Sequence, residues 1–251
     1  MELGNKSAVV TGGSRGLGLG VVEALVRRGA KVTVVARGAD DLAAVRNRLG
    51  VSTVSADITD ESAARRILAE TSPDLLVLNA GAKPPMGRLD QFTWEDFSAP
   101  WNTDVKAGLH WLKAALTLPL KRDARVLVTS SGAVYGSPLS GGYGGAKRML
   151  WLMAKYAQNL ANEQQLGIRF QVLVLQQMVA GTGVGDAASS AYARVANITP
   201  AEFLARFGAA LPPAEYGERV VSFLNDPAFA TAFALGLKGE TGISVLEEVA
   251  A

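Results

Sequence analysis

The chain has 251 residues, of which 49% are apolar and 19% charged, enough for a buried core and inconsistent with wholesale disorder. Its 25 basic and 23 acidic residues leave a formal charge of +2 spread along the sequence, which argues against a nucleic-acid patch or a membrane-surface helix. With no cysteine and a single histidine, His110, disulfides, thiolate chemistry and cysteine or multi-histidine metal sites are excluded, and no metal is expected.

The N-terminus "MELGNKSAVVTGG" runs almost directly into an apolar strand, without the basic region and long apolar core of a signal peptide. No run reaches the ~20 apolar residues that span a bilayer, so a soluble, cytoplasmic protein is expected. Short β-rich runs then recur at 7–12, 31–37, 51–57, 74–81, 125–131 and 169–176, with helically spaced stretches such as "GLGVVEALVRRG" between them. Near-continuous apolar strands alternating with helices predict an α/β fold with one doubly wound, Rossmann-type parallel sheet and helices on both faces. Right-handed crossovers gather the strands' carboxyl ends along one edge, where ligands bind. No linker or repeat divides the sequence, so residues 1–251 are expected to form one domain. His110, in "GLHWLKAAL", reads as a partly buried helix residue. The stretch 180–213, small and flexible and then helical, reads as a lid or substrate wall.

Candidate residues follow the strand ends. After the first strand, "TGGSRGLG" offers Gly12, Ser14, Arg15, Gly16, Leu17 and Gly18 as a phosphate-binding turn opening a helix. The second strand ends in Ala36 and Arg37, where a carboxylate would hold ribose hydroxyls; Arg37 and Arg15 suit a 2′-phosphate and favour NADP(H). Asp57 and Ile58 follow the third strand, and Asn79, Ala80 and Gly81 the fourth. Tyr143 and Lys147 lie one helical turn apart, so the ammonium is expected to favour the phenolate and lower the tyrosine's pKa from its usual value of about 10.

These motifs, in this order and spacing over about residues 5–225, resemble the short-chain dehydrogenase/reductase family. The resemblance implies that Asp57 contacts the adenine and that Asn79 to Gly81 line the cofactor. It further implies that Tyr143 exchanges a proton with the substrate oxygen, that Lys147 also holds the nicotinamide ribose, and that a serine steadies that oxygen. The family's spacing to the tyrosine selects Ser130, whereas the strand end selects Ser131, which is preferred because strand geometry shifts less readily than loop length. The implied activity is that of an NADP(H)-dependent carbonyl reductase or alcohol dehydrogenase acting on a small-molecule carbonyl or alcohol. A homodimer or homotetramer is implied too, built on helices carrying Trp111, Leu112, Leu150, Trp151 and Met153, which suit a monomer's core equally well.

The sequence departs from the family's pattern in three places. Asp104 stands where an asparagine usually completes the proton relay with the serine, Tyr143 and Lys147, while Asn102 lies two residues earlier. An aspartate there keeps the backbone contact but faces Lys147 with a carboxylate; the alternative is that Asn102 reaches in through a helix shift. After the sixth strand the usual Pro-Gly turn is replaced by "LQQMVAGTG", which displaces Thr182, a further cofactor candidate. The C-terminal stretch lacks the usual glycine-rich ending. Two other readings therefore stay open: a cofactor-binding sensor or scaffold without turnover, and an epimerase of the longer-chain branch, to which "SSGAVYG" is similar. Tyr192, Phe203, Leu204 and Phe207 in the lid suggest an apolar pocket, or simply helix packing.

Overall fold

The computed structural model describes residues 2–118, 120–209 and 211–247. Its centre is an eight-stranded sheet in the order β3-β2-β1-β4-β5-β6-β7-β8. The strands are β1 (Ser7–Thr11), β2 (Lys31–Ala36), β3 (Ser52–Ser55), β4 (Leu75–Leu78), β5 (Arg125–Ser131), β6 (Arg169–Leu175), β7 (Ala234–Lys238) and β8 (Gly242–Val245). All pairings are parallel except the last, an antiparallel β7–β8 hairpin. The six strands expected from sequence all form as β1 to β6; β7 and β8, which extend the sheet edge, were not among them. The chain winds outward from β1 to β3, then returns to β4 on the other side of β1. That reversal opens a crevice between the loops after β1 and β4.

Alternate side chains on each central strand pack against one of two helix layers. One layer holds α3 (Glu61–Thr71), α5 (Lys106–Thr117) and α6 (Tyr143–Glu163); the other holds α1 (Gly16–Arg27), α2 (Ala39–Leu49) and α9 (Pro213–Asn225). Val126, Val128, Phe170 and Val172 face the first layer, whereas Leu127, Leu173 and Leu235 face the second, and all are essentially inaccessible to water. Each such side chain contributes about 1.5–3 kcal/mol of apolar burial. Helices α1 and α9 meet backbone to backbone: a Cβ on Gly20 would lie 1.8 Å from the Pro213 carbonyl oxygen.

Trp111, Leu112, Leu150 and Trp151 are buried in the chain's own core, and Met153 is partly buried against it. The large apolar side chains that α5 and α6 leave exposed are Leu109, Tyr156 and Leu160. His110 is half-buried on α5, with Nδ1 3.6 Å from Glu61 Oε2. No helix among the described residues is long and apolar enough to cross a membrane.

Candidate active site

The turn after β1 is shaped by its glycines. Gly12 has φ +67°, and a Cβ on Gly18 would lie 2.2 Å from the Gly12 carbonyl oxygen, so the loop closes only without side chains there. Helix α1 starts at Gly16 with no side-chain cap, leaving its first N–H groups directed at the crevice. Asn79 ties this turn to β4: its N–H donates to Thr11 Oγ1 at 3.1 Å, and its Nδ2 reaches the Thr11 and Gly12 carbonyls at 3.4 and 3.5 Å. The Ala80 N–H shares the same threonine hydroxyl. Ser14 and Leu17 are half-buried along the turn.

Arg15 and Arg37 are exposed at the crevice, and neither guanidinium has a salt bridge among the described residues. Asp57 accepts from the N–H and hydroxyl of Thr59, both at 2.8 Å, and these bonds lower its pKa, with the Arg37 charge adding to the effect. The Ile58 carbonyl is fixed by the Trp111 indole N–H at 3.0 Å. Thr182 caps helix α7 (Gly183–Ala196): its hydroxyl donates to the Val179 carbonyl and accepts from the Gly185 N–H. Only its methyl faces the glycine turn, 3.9 Å from where a Gly16 Cβ would stand.

The chemistry-bearing groups converge at the start of α6. The helix α4 (Trp94–Pro100) does not pass straight into α5; a π-helical segment, Trp101–Val105, intervenes. Pro100 has no N–H to donate, and the wide turn follows it directly. The segment turns Asp104 inward, 2% exposed, and leaves Asn102 outside, its Nδ2 3.4 Å from Ser98 Oγ. Of the two alternatives, Asp104 is the side chain that faces inward, and Asn102 does not reach in. The same segment clamps α6, since Trp101 Nε1 donates to the Gly142 carbonyl at 3.2 Å. The glycines flanking Tyr143 serve this packing. A Cβ on Gly142 would lie 2.1 Å from the Phe97 carbonyl oxygen, and one on Gly144 would lie 2.7 Å from that of Ala133.

Asp104 Oδ1 accepts from the Ala82 N–H at 2.7 Å, and Oδ2 lies 2.9 Å from Lys147 Nζ. Gly81 is the residue that leaves room: a Cβ there would stand 2.7 Å from Oδ2. The lysine ammonium lies 5.5 Å from the centre of the Tyr143 ring, and both residues are buried. Burial pulls the Lys147 pKa down, but the Asp104 carboxylate and then Tyr143 outweigh it and hold the ammonium at about 12. For Tyr143, burial is the largest influence and raises the pKa; Lys147 lowers it, Asp104 raises it again, and a hydrogen bond with Ser131 lowers it. The net direction is upward, so the expected acidification by Lys147 is present but does not prevail in the free chain.

Ser130 and Ser131 point apart, as successive strand residues must. Ser130 Oγ donates to the Lys147 carbonyl under α6, at 3.4 Å. Ser131 stands at the Tyr143 hydroxyl and accepts from the Ala133 N–H at 3.3 Å. Sequence reading missed Tyr216, a second buried tyrosine, whose hydroxyl lies by Thr129 and within electrostatic reach of Lys147; burial, against these two influences, pushes its pKa up to about 12.

The stretch expected as a lid contains α7 and α8 (Pro200–Ala205) and is tied to the loop after β5: the hydroxyls of Tyr192 and Ser137 lie 2.9 Å apart. Tyr192 stacks on Phe203, which meets Phe207 edge-on, so these aromatics pack largely on one another. The loop after β6 is held by Gln177, which donates to the Ala209 carbonyl and accepts from the Gly239 N–H of the β7–β8 turn. Glutamine thus joins Ala209 to the C-terminal hairpin where the family pattern has a Pro-Gly turn.

Comparison with known proteins accords with this geometry. A family model described as "short chain dehydrogenase" matches residues 6–190. An L-fucose dehydrogenase of Rattus norvegicus is 27% identical over 93% of the chain and 88% of its own length. A cis-toluene dihydrodiol dehydrogenase of Pseudomonas putida is 32% identical over 62% of the chain and 58% of its own length. Among solved structures, an alcohol dehydrogenase from Thermococcus sibiricus complexed with 5-hydroxy-NADP superposes with a TM-score of 0.72 and 25% identity, covering 93% of this chain and 96% of that one.

Proposed function

The chain belongs to the short-chain dehydrogenase family, and from that premise we propose that it moves a hydride between NADP(H) and the carbonyl or alcohol group of a small molecule, with Tyr143 as general acid or base. The observation that carries this reading is the constellation of half-buried Ser131 with buried Tyr143, Lys147 and Asp104, on the same sheet edge as the uncapped start of α1.

The residues fit a dinucleotide. The glycine turn closes tightly because Cβ atoms on Gly12 and Gly18 would strike neighbouring backbone, which leaves its own backbone bare to a ligand, and the free N–H groups of α1 suit a pyrophosphate. Arg15 and Arg37, without a salt bridge among the described residues and with no carboxylate ending β2, suit a 2′-phosphate and favour NADP(H) over NAD(H). Asp57, Ile58, Asn79, Ala80 and Gly81 line the adenine and nicotinamide sides, and Lys147 holds the nicotinamide ribose. When bound, the nicotinamide supplies or accepts the hydride. Within the chain, Ser131 steadies the substrate oxygen, and Tyr143, a buried residue, gives or takes the proton through its hydroxyl. Burial and Asp104, against the pull of Lys147, raise the phenol's pKa in the free chain, so Tyr143 is available as the acid that carbonyl reduction needs.

The whole chain works as one domain in this reading, with residues 180–213 as the substrate lid. Leu109, Tyr156 and Leu160, exposed on α5 and α6, mark the face through which a homodimer or homotetramer assembles.

The test is cofactor consumption with NADPH and NADH over a panel of ketones and aldehydes. Wild type is expected to consume NADPH faster than NADH, and Tyr143→Phe to lose roughly 10²–10⁴-fold in turnover while still binding NADPH. NADPH binding without consumption on any carbonyl would instead support a sensor or scaffold.

A further inference from the structure

An ammonium buried alone beside a nicotinamide ring would repel that ring in its oxidised state, when it carries a positive charge, and be indifferent to it when reduced and neutral. In this chain the ammonium is not alone. Lys147 and Asp104 form an ion pair at 2.9 Å with side chains only 6% and 0% exposed, so their mutual field is little screened by water. The carboxylate is also immobile. Its second oxygen is held by the Ala82 N–H, Gly81 walls it in, and the π-helical segment fixes its backbone. Tyr143 and Tyr216, the other titratable groups facing Lys147, are both neutral phenols at neutral pH, so they do not alter the sum. The residues that meet here therefore carry a net charge of zero.

From this we infer that Asp104 is a positioning residue that sets the redox-state preference of the cofactor site, admitting the oxidised, positively charged nicotinamide about as readily as the reduced one. This rests on the proposed NADP(H) site and adds the role of one side chain in it. The effect is one of charge, not of contact. It predicts that any change making the pair net positive discriminates against the oxidised form, and any change making it net negative discriminates in its favour. A unit charge acting over ~6–8 Å at an effective dielectric of about 20 changes a binding constant by ten- to a hundredfold. Screening by solvent and ions puts the expected change at the lower end.

The experiment measures Kd for NADP+ and for NADPH by titration calorimetry, on the full chain at neutral pH, and reads only their ratio. Asp104→Asn, which keeps the acceptor for the Ala82 N–H, is expected to raise Kd(NADP+)/Kd(NADPH) about tenfold over wild type. Lys147→Gln is expected to lower the ratio, even though it weakens both affinities by removing a ribose contact. The double variant Asp104→Asn/Lys147→Gln, neutral like the native pair, is expected to return the ratio to within about twofold of wild type. A purely structural role for Asp104 would weaken both ligands together and leave the ratio unmoved, and that result overturns the proposal. So does a double variant whose ratio stays with either single one. If Asp104→Asn does not fold, Lys147→Gln and the double variant still decide between these outcomes. Failure of wild type to bind either form would instead remove the cofactor site itself, a separate result.

Discussion

Asp74 and Asp104 stand at opposite edges of the same sheet, each beside lysine, and the contrast between them separates a fold anchor from a working site. Asp74, just before β4, accepts from the Ser7 N–H at 2.9 Å and the Ser7 hydroxyl at 2.8 Å, tying β1 to β4. Its lysines, Lys6 and Lys121, are 45% and 49% exposed and lie 3.3 and 3.4 Å away. Burial works against its charge, but the Ser7 bonds and then the lysines prevail and lower its pKa to about 2. Asp104 has one backbone donor and one fully buried lysine. Desolvating two charges for one ion pair gains little stability, and apolar residues of similar volume commonly do as well. A pair placed so at the ligand edge of the sheet is better explained by the field it creates than by the stability it adds.

The contrast breaks most visibly under truncation. Asp104→Ala leaves Lys147 buried without its counter-charge and is expected to cost about 3–5 kcal/mol, read as a drop in the urea midpoint. A loss below 1 kcal/mol would mean that water enters the site freely and that the pair is not desolvated. Asp74→Asn is expected to cost less, about 2 kcal/mol at pH 7, because the lowered pKa contributes stability that is complete above pH ~5 and is lost as pH falls toward 2. The wild-type and variant midpoints are accordingly expected to converge between pH 5 and 2; parallel curves across that range would show that the Asp74 charge is not what anchors the strands.

Much of this was legible in the sequence because the strands and the glycine turn are governed by local rules. Near-continuous apolar runs gave the parallel sheet, and the glycine turn, Asn79 and the Tyr143–Lys147 spacing each fell on the ligand edge. The strand end also favoured Ser131 over Ser130, and the two do have different partners. What sequence periodicity could not supply were effects of tertiary placement. The π-helical segment that turns Asp104 inward depends on a long-range clamp from Trp101 to Gly142, and its only local signal is Pro100 inside a helix. The sign of the Tyr143 shift depends on how deeply α6 is buried, which an i, i+4 spacing does not encode. Gln177 likewise reads as a lost family motif until the hairpin it fastens is seen in place.

The account depends on Tyr143 being a buried phenol in a field balanced by Asp104 and Lys147, and a spectrophotometric titration of phenolate absorbance tests this without any knowledge of substrate. The chain has five tyrosines, so the signal is taken as wild type minus Tyr143→Phe, and the same difference is formed in the Asp104→Asn background. The account predicts that the isolated Tyr143 signal titrates above the ordinary tyrosine range in the native background and moves downward once the Asp104 charge is gone. A Tyr143 that ionises below that range in the free protein, or that does not respond to Asp104→Asn, would contradict it.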